Sequence, residues 1–325
     1  MRPLELGPNQ IRRFYRGGAR IAAFRALPSA DDDAPEDWVA STTTVFGDDE
    51  HGLSRIDDAV LLADALAADP EAFFEPPHLA AYGPDPAVLV KLLDAGERLP
   101  LHFHPDAGFA AAYLGAERGK TEAWVILEAD AGAAVHVGFS RDVTEDELAD
   151  LVEAQDVPPI LEKMNRLSVA AGDTIYVPAG VPHVIGAEIL LLELQEPADL
   201  SLLLEWKGWA AEQDAFLDLP RELVLGTVDR ATPDLRQLTS RRGARLFPPD
   251  ADRFFRADIV TGGDRLEAAF SVVIVTEGEG ELQPANAESV RVRHGSVLLV
   301  PFASGMVDVI GGCRAVRCRP PLPES

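Results

Sequence analysis

Two histidines, His102 and His104, stand one residue apart in Leu-His-Phe-His-Pro-Asp, and Glu122 follows in Gly-Lys-Thr-Glu. A third histidine, His183, ends the run Val-Pro-Ala-Gly-Val-Pro-His. On a strand, residues i and i+2 share a face, so both imidazoles turn to one side while Leu101 and Phe103 turn to the other. Two imidazoles converging on a barrel interior make half a metal site. Glu122 can add a carboxylate and His183 a third imidazole. Three histidines and one carboxylate form a nitrogen–oxygen donor set that suits zinc, and equally iron, manganese or nickel. The remaining histidines, His51, His78, His136 and His294, read as packed or hydrogen-bonded side chains.

The elements around these residues are mostly short strands. "AWVILEAD" (123–130), "AAVHVGF" (133–139), "DTIYVP" (173–178) and "EILLLELQ" (188–195) are β-rich runs split by Gly, Pro and Asp. The pattern resumes after residue 245 in "FFRADIV", "AAFSVVIVTEGEGELQ", "SVRVRHGSVLLVP" and "GCRAVRCRP". Helix signals are few: 57–70, which Pro70 ends; 143–155, opened by a Thr144/Glu147 capping box; 158–167, opened by prolines; and a piece at 211–223. Residues 166–185 parallel 289–310: each has a strand, a Gly with a small polar residue, an apolar strand ending in Val-Pro, and a turn. Such a repeat implies two stacked β-barrels. Only the first copy carries a histidine after its Val-Pro turn; the second has Met306 and Val307. One barrel can therefore hold a metal and the other lacks the ligands. The expected division is 1–210, with a helical insertion at about 143–167, and 211–325. The segment 227–245 breaks the strand pattern between them.

Composition narrows the partners. The 325 residues are 47% apolar and 26% charged, with a formal net charge of −25. That balance suits a globular protein and argues against nucleic acid and anionic membrane surfaces. No apolar run reaches membrane-span length. Arg12, Arg13, Arg16 and Arg20 near the start lack the apolar stretch of a secretory signal. Cys313 and Cys318 are not spaced as a zinc knuckle and read as reduced thiols of a cytoplasmic protein.

Several segments together resemble the type I phosphomannose isomerases of the cupin superfamily. "YRGGARIAAF" (15–24) is similar to the family's aromatic-Gly-Gly segment, and "EDWVAS" (36–41) to its Glu-x-Trp…Ser motif. "LVKLLDAGERLPLHFHPD" (89–106) is similar to the segment that carries its first two ligands. "GKTEAWVIL" (119–127) resembles its Lys-x-Glu strand, and "GDTIYVPAGVPHVIG" (172–186) its last ligand strand pair. The resemblance implies a mainly β fold of two cupin-type (double-stranded β-helix) barrels with a small helical insertion. It implies a metal-dependent aldose–ketose isomerase acting on a small sugar or sugar phosphate. The ligand positions fall on His102, His104, Glu122 and His183, and the family lysine on Lys120. Zn2+ is the implied metal, with Fe2+, Mn2+ and Ni2+ as alternatives.

Two positions depart from the pattern. His102 stands where the family has Gln, and a neutral imidazole is a stronger donor than an amide oxygen. Leu203 stands where the family places an arginine at the sugar, and the nearest cation is Lys207. Moving a proton between adjacent carbons needs a base and an offset for developing negative charge. The candidates for this chemistry are Lys120, Glu193 and Lys207, with Glu205 and Asp106 as further possible bases. Asp106 also reads as a cap on the turn after Pro105. Trp38, Lys91, Asp106 and Glu205 are candidates for contacting the sugar. Two other readings stand beside the isomerase: a different metal-dependent cupin enzyme, and a non-catalytic sugar-binding relative.

Overall fold

The computed structural model describes residues 1–29, 31–56, 59–241 and 245–323. Its first strands are β1 (Leu4–Glu5), β2 (Gln10–Ile11), β3 (Glu36–Val39), β4 (Leu89–Ala95), β5 (His102–Phe103), β6 (Glu122–Ala129) and β7 (Ala134–Phe139). Next come β8 (Met164–Ser168), β9 (Asp173–Val177), β10 (His183–Ile185), β11 (Ile189–Gln195), β12 (Leu202–Leu203) and β13 (Thr239–Arg241). The second half adds β14 (Arg256–Thr261), β15 (Arg265–Leu266), β16 (Ser271–Glu277), β17 (Glu279–Pro284), β18 (Val290–Arg293), β19 (Val297–Val300), β20 (Val307–Gly311) and β21 (Arg314–Arg319). The architecture is mainly β, of cupin type.

Among the described residues, four antiparallel sheets make two barrels. The first pairs a seven-stranded sheet, ordered β13-β9-β6-β11-β4-β3-β2, with a five-stranded sheet, β12-β5-β10-β7-β8. The second pairs β1-β19-β16-β21-β14 with β15-β20-β17-β18. The sequence repeat is visible in this topology. In the first copy β8 and β10 flank β7 while β9 crosses to the other sheet; in the second, β18 and β20 flank β17 while β19 crosses. The turn before each crossing strand uses a glycine at positive φ, Gly172 at 91° and Gly295 at 83°, a conformation that side chains with a Cβ resist.

The barrels are strapped together. The chain's first strand, β1, pairs with β19 of the second barrel, and β13 pairs with β9 of the first. Residues Ala215, Phe216, Val224 and Leu225 also pack in the first barrel's outer cluster. The first barrel's outer packing therefore continues past residue 210, into the 210–245 stretch where the boundary between the halves is expected.

Burial follows the strand period. All seven residues of β4 and all seven of β11 are buried, because one face lines the first barrel and the other packs on the second. One core cluster joins Val90, Leu92, Leu190 and Leu192 to Val272, Ile274, Leu299 and Val316 of the second barrel. A second cluster lies outside the five-stranded sheet, where Leu101, Phe103 and Val184 pack under Leu148 and Val152. Those last two belong to the helix Glu145–Ala154, whose Thr144 hydroxyl accepts from the Glu147 amide at 3.2 Å. Cys313 and Cys318 are free, buried and in different clusters.

The helices differ from expectation in detail. Asp57 and Asp58 of the 57–70 segment lie outside the described residues; beyond them Leu62–Ala68 and Pro70–Phe73 are helical. The 158–167 segment is not one helix. Val157–Leu161 is helical, and Met164–Ser168 becomes β8, drawn into the sheet by pairing with β7 and by burial of Met164. Among the described residues no helix is long and apolar enough to cross a membrane.

Candidate metal centre and its cavity

His102, on β5, lies directly opposite His183 on β10, and β10 continues the ladder to β7. Glu122 opens β6 on the facing sheet, opposite Val177 and Gln195. The barrel thereby brings together residues 81 positions apart. The three imidazole rings lie 4.2 to 5.1 Å apart, centroid to centroid. Their candidate ligand nitrogens all lie within 4.8 Å of one another.

Each imidazole is oriented by a backbone carbonyl. Nδ1 of His102 meets the Pro100 oxygen at 2.8 Å, Nδ1 of His104 the Leu200 oxygen at 2.7 Å, and Nδ1 of His183 the Val181 oxygen at 2.9 Å. A carbonyl only accepts, so each Nδ1 carries the proton and each Nε2 presents a lone pair inward. Metal-ligating histidines are commonly held this way, the other ring nitrogen donating to a carbonyl. It also creates a conflict that a cation resolves. His104 Nε2 lies 2.9 Å from Glu122 Oε2, and His183 Nε2 lies 3.3 Å from Glu122 Oε1. Two acceptors at that separation repel unless positive charge stands between or beside them. The Lys120 ammonium supplies part of that charge, 3.2 Å from Glu122 Oε2, but His183 Nε2 is buried with no hydrogen-bond partner. The donor set and this orphaned nitrogen fit a divalent transition metal.

Protonation agrees with this reading. Burial pushes His104 and His183 down to about 3; the Lys120 charge adds to the effect at His104, while Glu122 opposes it at His183. Burial and His183 hold His102 well below the ordinary histidine range. Burial works against the charge on Glu122, but Lys120, His104 and His183 outweigh it, and the carboxylate stays ionised. Neutral imidazoles and an ionised carboxylate are the forms that bind metal. Trp124 Nε1 steadies the carboxylate by donating to Oε1 at 3.0 Å.

A cavity opens beside His102 and Glu122. Lys120 lines it, with its ammonium 3.0 Å from His104 Nε2 and 3.2 Å from Glu122 Oε2. Lys91 and Glu193 line it too and stand directly opposite each other on β4 and β11, 3.5 Å apart at their charged ends. Burial and the neighbouring Glu122 push Glu193 up to about 7, against the pull of Lys91 and Lys120. Lys91 stays charged: burial disfavours the ammonium, but Glu36 and Glu193 raise its pKa.

The other sequence candidates have different surroundings. Trp38 is fully buried below the cavity; its indole donates to Glu36 at 2.6 Å, and the Lys91 ammonium sits 4.7 Å over its ring. It therefore supports the cavity floor rather than contacting a sugar. Glu205 is taken up by Arg98, the Leu101 amide and the Trp209 indole, at 2.6 to 3.1 Å. It pins the approach to β5 and does not line the cavity. Asp106 caps the turn by accepting from the Phe109 amide at 2.8 Å. Lys207 is exposed and outside the cavity. The backbone turns outward there because the Trp206 and Lys207 amides both donate to the Gln155 side chain. It does not reach back to replace an arginine at Leu203. Leu203 itself lines the cavity.

Sequence reasoning did not single out Arg13, Tyr15 or Asp199. Arg13 and Tyr15 line the cavity, and both meet Glu36: Arg13 Nε at 3.2 Å and the Tyr15 hydroxyl at 2.5 Å. Asp199 takes two bonds from the Arg13 guanidinium. The available signal was Glu36 alternating with Trp38 on an inward strand face, a carboxylate that needs buried cations.

No protein-family model matches the chain. Curated relatives do. It is 29% identical over 224 residues to a mannose-6-phosphate isomerase of Streptococcus mutans, covering 66% of this chain and 68% of the relative. It is 36% identical over 112 residues to mannose-6-phosphate isomerase ManA of Bacillus subtilis, covering 34% of each. Among solved structures, the mannose 6-phosphate isomerase of Bacillus subtilis superposes with a TM-score of 0.77 at 19% identity, covering 98% of this chain and 100% of that one. A mannose 6-phosphate isomerase bound with zinc and yttrium superposes at 0.75 and 14% identity, covering 99% and 100%. At these identities the structural likeness carries the fold. The chain thus resembles mannose-6-phosphate isomerases in sequence over the matched segments, and shares their fold over nearly its whole length.

Proposed function

We propose that the protein is a metal-dependent aldose–ketose isomerase that interconverts mannose 6-phosphate and fructose 6-phosphate or a closely related sugar pair. The observation that carries this reading is the convergence of three carbonyl-oriented imidazoles and Glu122 beside a cavity that also holds Glu193. His102, His104, Glu122 and His183 would hold the ion, zinc first and iron, manganese or nickel as alternatives. When bound, the metal supplies polarisation of a carbonyl oxygen.

The chain's own groups do the rest. Glu193 acts as the base that carries a proton between the two adjacent sugar carbons. A pKa near 7 before metal loading suits that role, because a base poised near the working pH balances strength against availability. Lys120 offers a fixed positive charge to an oxygen that becomes negative as the proton leaves. Lys91 steadies Glu193 from across the sheet. The apolar side of the cavity, including Leu93, Leu99, Ile185 and Leu203, limits water around the reacting carbons. The substrate is a small molecule met in the cytoplasm.

Leu203 favours a second reading, an isomerase of the same chemistry with another sugar. The cations lining the cavity already face carboxylates, Arg13 with Glu36 and Asp199, Lys91 with Glu36 and Glu193, and Lys120 with Glu122. Turnover of zinc-loaded protein on mannose 6-phosphate and on unphosphorylated aldoses separates the two. Conversion of mannose 6-phosphate to the ketose supports the first. Conversion of a neutral aldose alone supports the second, and turnover of neither sinks both.

A further inference from the structure

We infer that Arg13 and Asp199 form a positioning pair that sets the orientation of the metal-facing nitrogen of His104; the inference rests on the metal-centre reading above. On its outer side His104 is held by the bond from its Nδ1 to the carbonyl of Leu200 at 2.7 Å, with the neighbouring Ser201 hydroxyl 3.4 Å from the same nitrogen; on its inner side Lys120 and Glu122 lie 3.0 and 2.9 Å from Nε2. That carbonyl belongs to the loop between β11 and β12, which is not held by strand pairing. Two side-chain clasps fix the loop's beginning: the Thr121 amide donates to Glu196 at 2.8 Å, and Gln195 Nε2 donates to the Ala198 oxygen at 2.6 Å.

The residue next to Leu200 is held from the other end of the chain. The Arg13 guanidinium donates through both terminal nitrogens to the two Asp199 oxygens, at 2.9 and 3.0 Å, across 186 positions of sequence. The side chains are 14% and 4% exposed, so solvent screens the pair little. A two-point contact between planar groups fixes orientation as well as distance, which a single ammonium cannot do. The Phe46 amide adds a bond to Asp199 at 3.2 Å. Arg13 is fixed in turn, with Nε 3.2 Å from Glu36 and its own amide donating to the Asp33 oxygen at 3.0 Å.

Although Arg13 lines the cavity, all three guanidinium nitrogens face carboxylates of the protein. Its action on the centre therefore runs through the loop: Arg13 holds Asp199, Asp199 sets the Leu200 carbonyl, and the carbonyl sets the imidazole. Groups behind a ligating histidine commonly change metal affinity by ten- to a hundredfold when altered.

The test uses cobalt(II) alone as the probe, on the full chain. Arg13→Lys keeps the charge and removes the fork; Asp199→Asn keeps the shape and removes the charge. Val273→Ala, in the interior of the second barrel, serves as a destabilised control away from the site. Cobalt affinity by chelator competition and the visible d–d spectrum are read beside thermal melting. The pair predicts roughly tenfold weaker cobalt binding and a shifted spectrum in Arg13→Lys and Asp199→Asn, with both unchanged in Val273→Ala. Should Asp199→Asn fail to fold, the charge-conserving Arg13→Lys decides. Wild-type affinity and spectrum in a folded Arg13→Lys overturn the inference. A wild-type protein that takes up no cobalt overturns the metal-centre reading itself, and this inference with it.

Discussion

Leu203 on β12 lies in register with His102 on β5, so an aliphatic side chain sits directly across from a proposed metal ligand. A phosphomannose isomerase is expected to carry an arginine at that position. Leucine can neither offset developing charge nor grip a phosphate. A charge-assisted hydrogen bond contributes about 1.5–3 kcal/mol, or roughly one to two decades in rate or affinity. Leu203→Arg should therefore raise kcat/KM for mannose 6-phosphate by about tenfold or more. Steady-state kinetics of the variant decide it, and an unchanged or lower value would show that this position does not face the substrate. Lys207→Ala, an exposed change outside the cavity, should leave the constants as they are.

Removing a ligand should empty the centre. Purified wild type loaded with zinc should hold one ion per chain by elemental analysis, and His104→Ala or His183→Ala should hold far less under the same dialysis. Equal metal content in wild type and His104→Ala would refute the ligand set.

Glu193→Gln should keep the metal and lose turnover. A positioned base is worth about 10²–10⁴-fold, so kcat should fall by that order while zinc content stays at the wild-type level. The base must be ionised to work. Activity should therefore rise with pH along an acid limb whose midpoint lies below 7, because a bound cation would draw Glu193 down from its metal-free value of about 7. A pH–rate profile without that limb, or a Glu193→Gln variant of normal kcat, would assign the base elsewhere.

Metal-free protein should lose stability on mild acidification. His104 and His183 titrate near 3 when folded, and His102 well below the ordinary range, while unfolded histidines protonate near 6.5. Between those values the unfolded chain binds more protons, so stability falls as pH drops below about 6.5. Glu193 works the other way. Its raised pKa contributes stability below the unfolded value near 4.5 and loses it as pH climbs toward 7. Three histidines against one glutamate leave a net loss toward acid. Denaturant midpoints of the metal-free protein at pH 7 and pH 5 check this, and a higher midpoint at pH 5 would contradict it.

The grouping of His102, His104 and His183 was legible in sequence because its signals are local. The His-x-His spacing on a strand, the Val-Pro turn before His183 and the Lys-x-Glu strand each announce an inward-facing residue. The barrel repeat was legible for the same reason, through Gly172 and Gly295 at matching turns. What stayed hidden depends on register between distant strands. Nothing near Lys91 shows that Glu193 lies opposite it, and nothing near Arg13 points to Asp199. Nor does anything near Trp38, a candidate sugar contact, show that its indole is bonded to Glu36 inside the barrel. The strapping of the barrels was hidden too, since nothing near β1 or β13 shows that each pairs with the barrel away from its own half.

The central claim is that the metal centre and Glu193 together move a proton between adjacent carbons of a sugar. The most direct measurement is exchange of the hydrogen at C2 of mannose 6-phosphate with deuterated solvent, followed by NMR, for zinc-loaded, chelator-stripped and Glu193→Gln protein. The account predicts exchange and ketose formation with zinc-loaded wild type, and neither above background in the stripped protein or the variant. Exchange in the stripped protein at the zinc-loaded rate would contradict it.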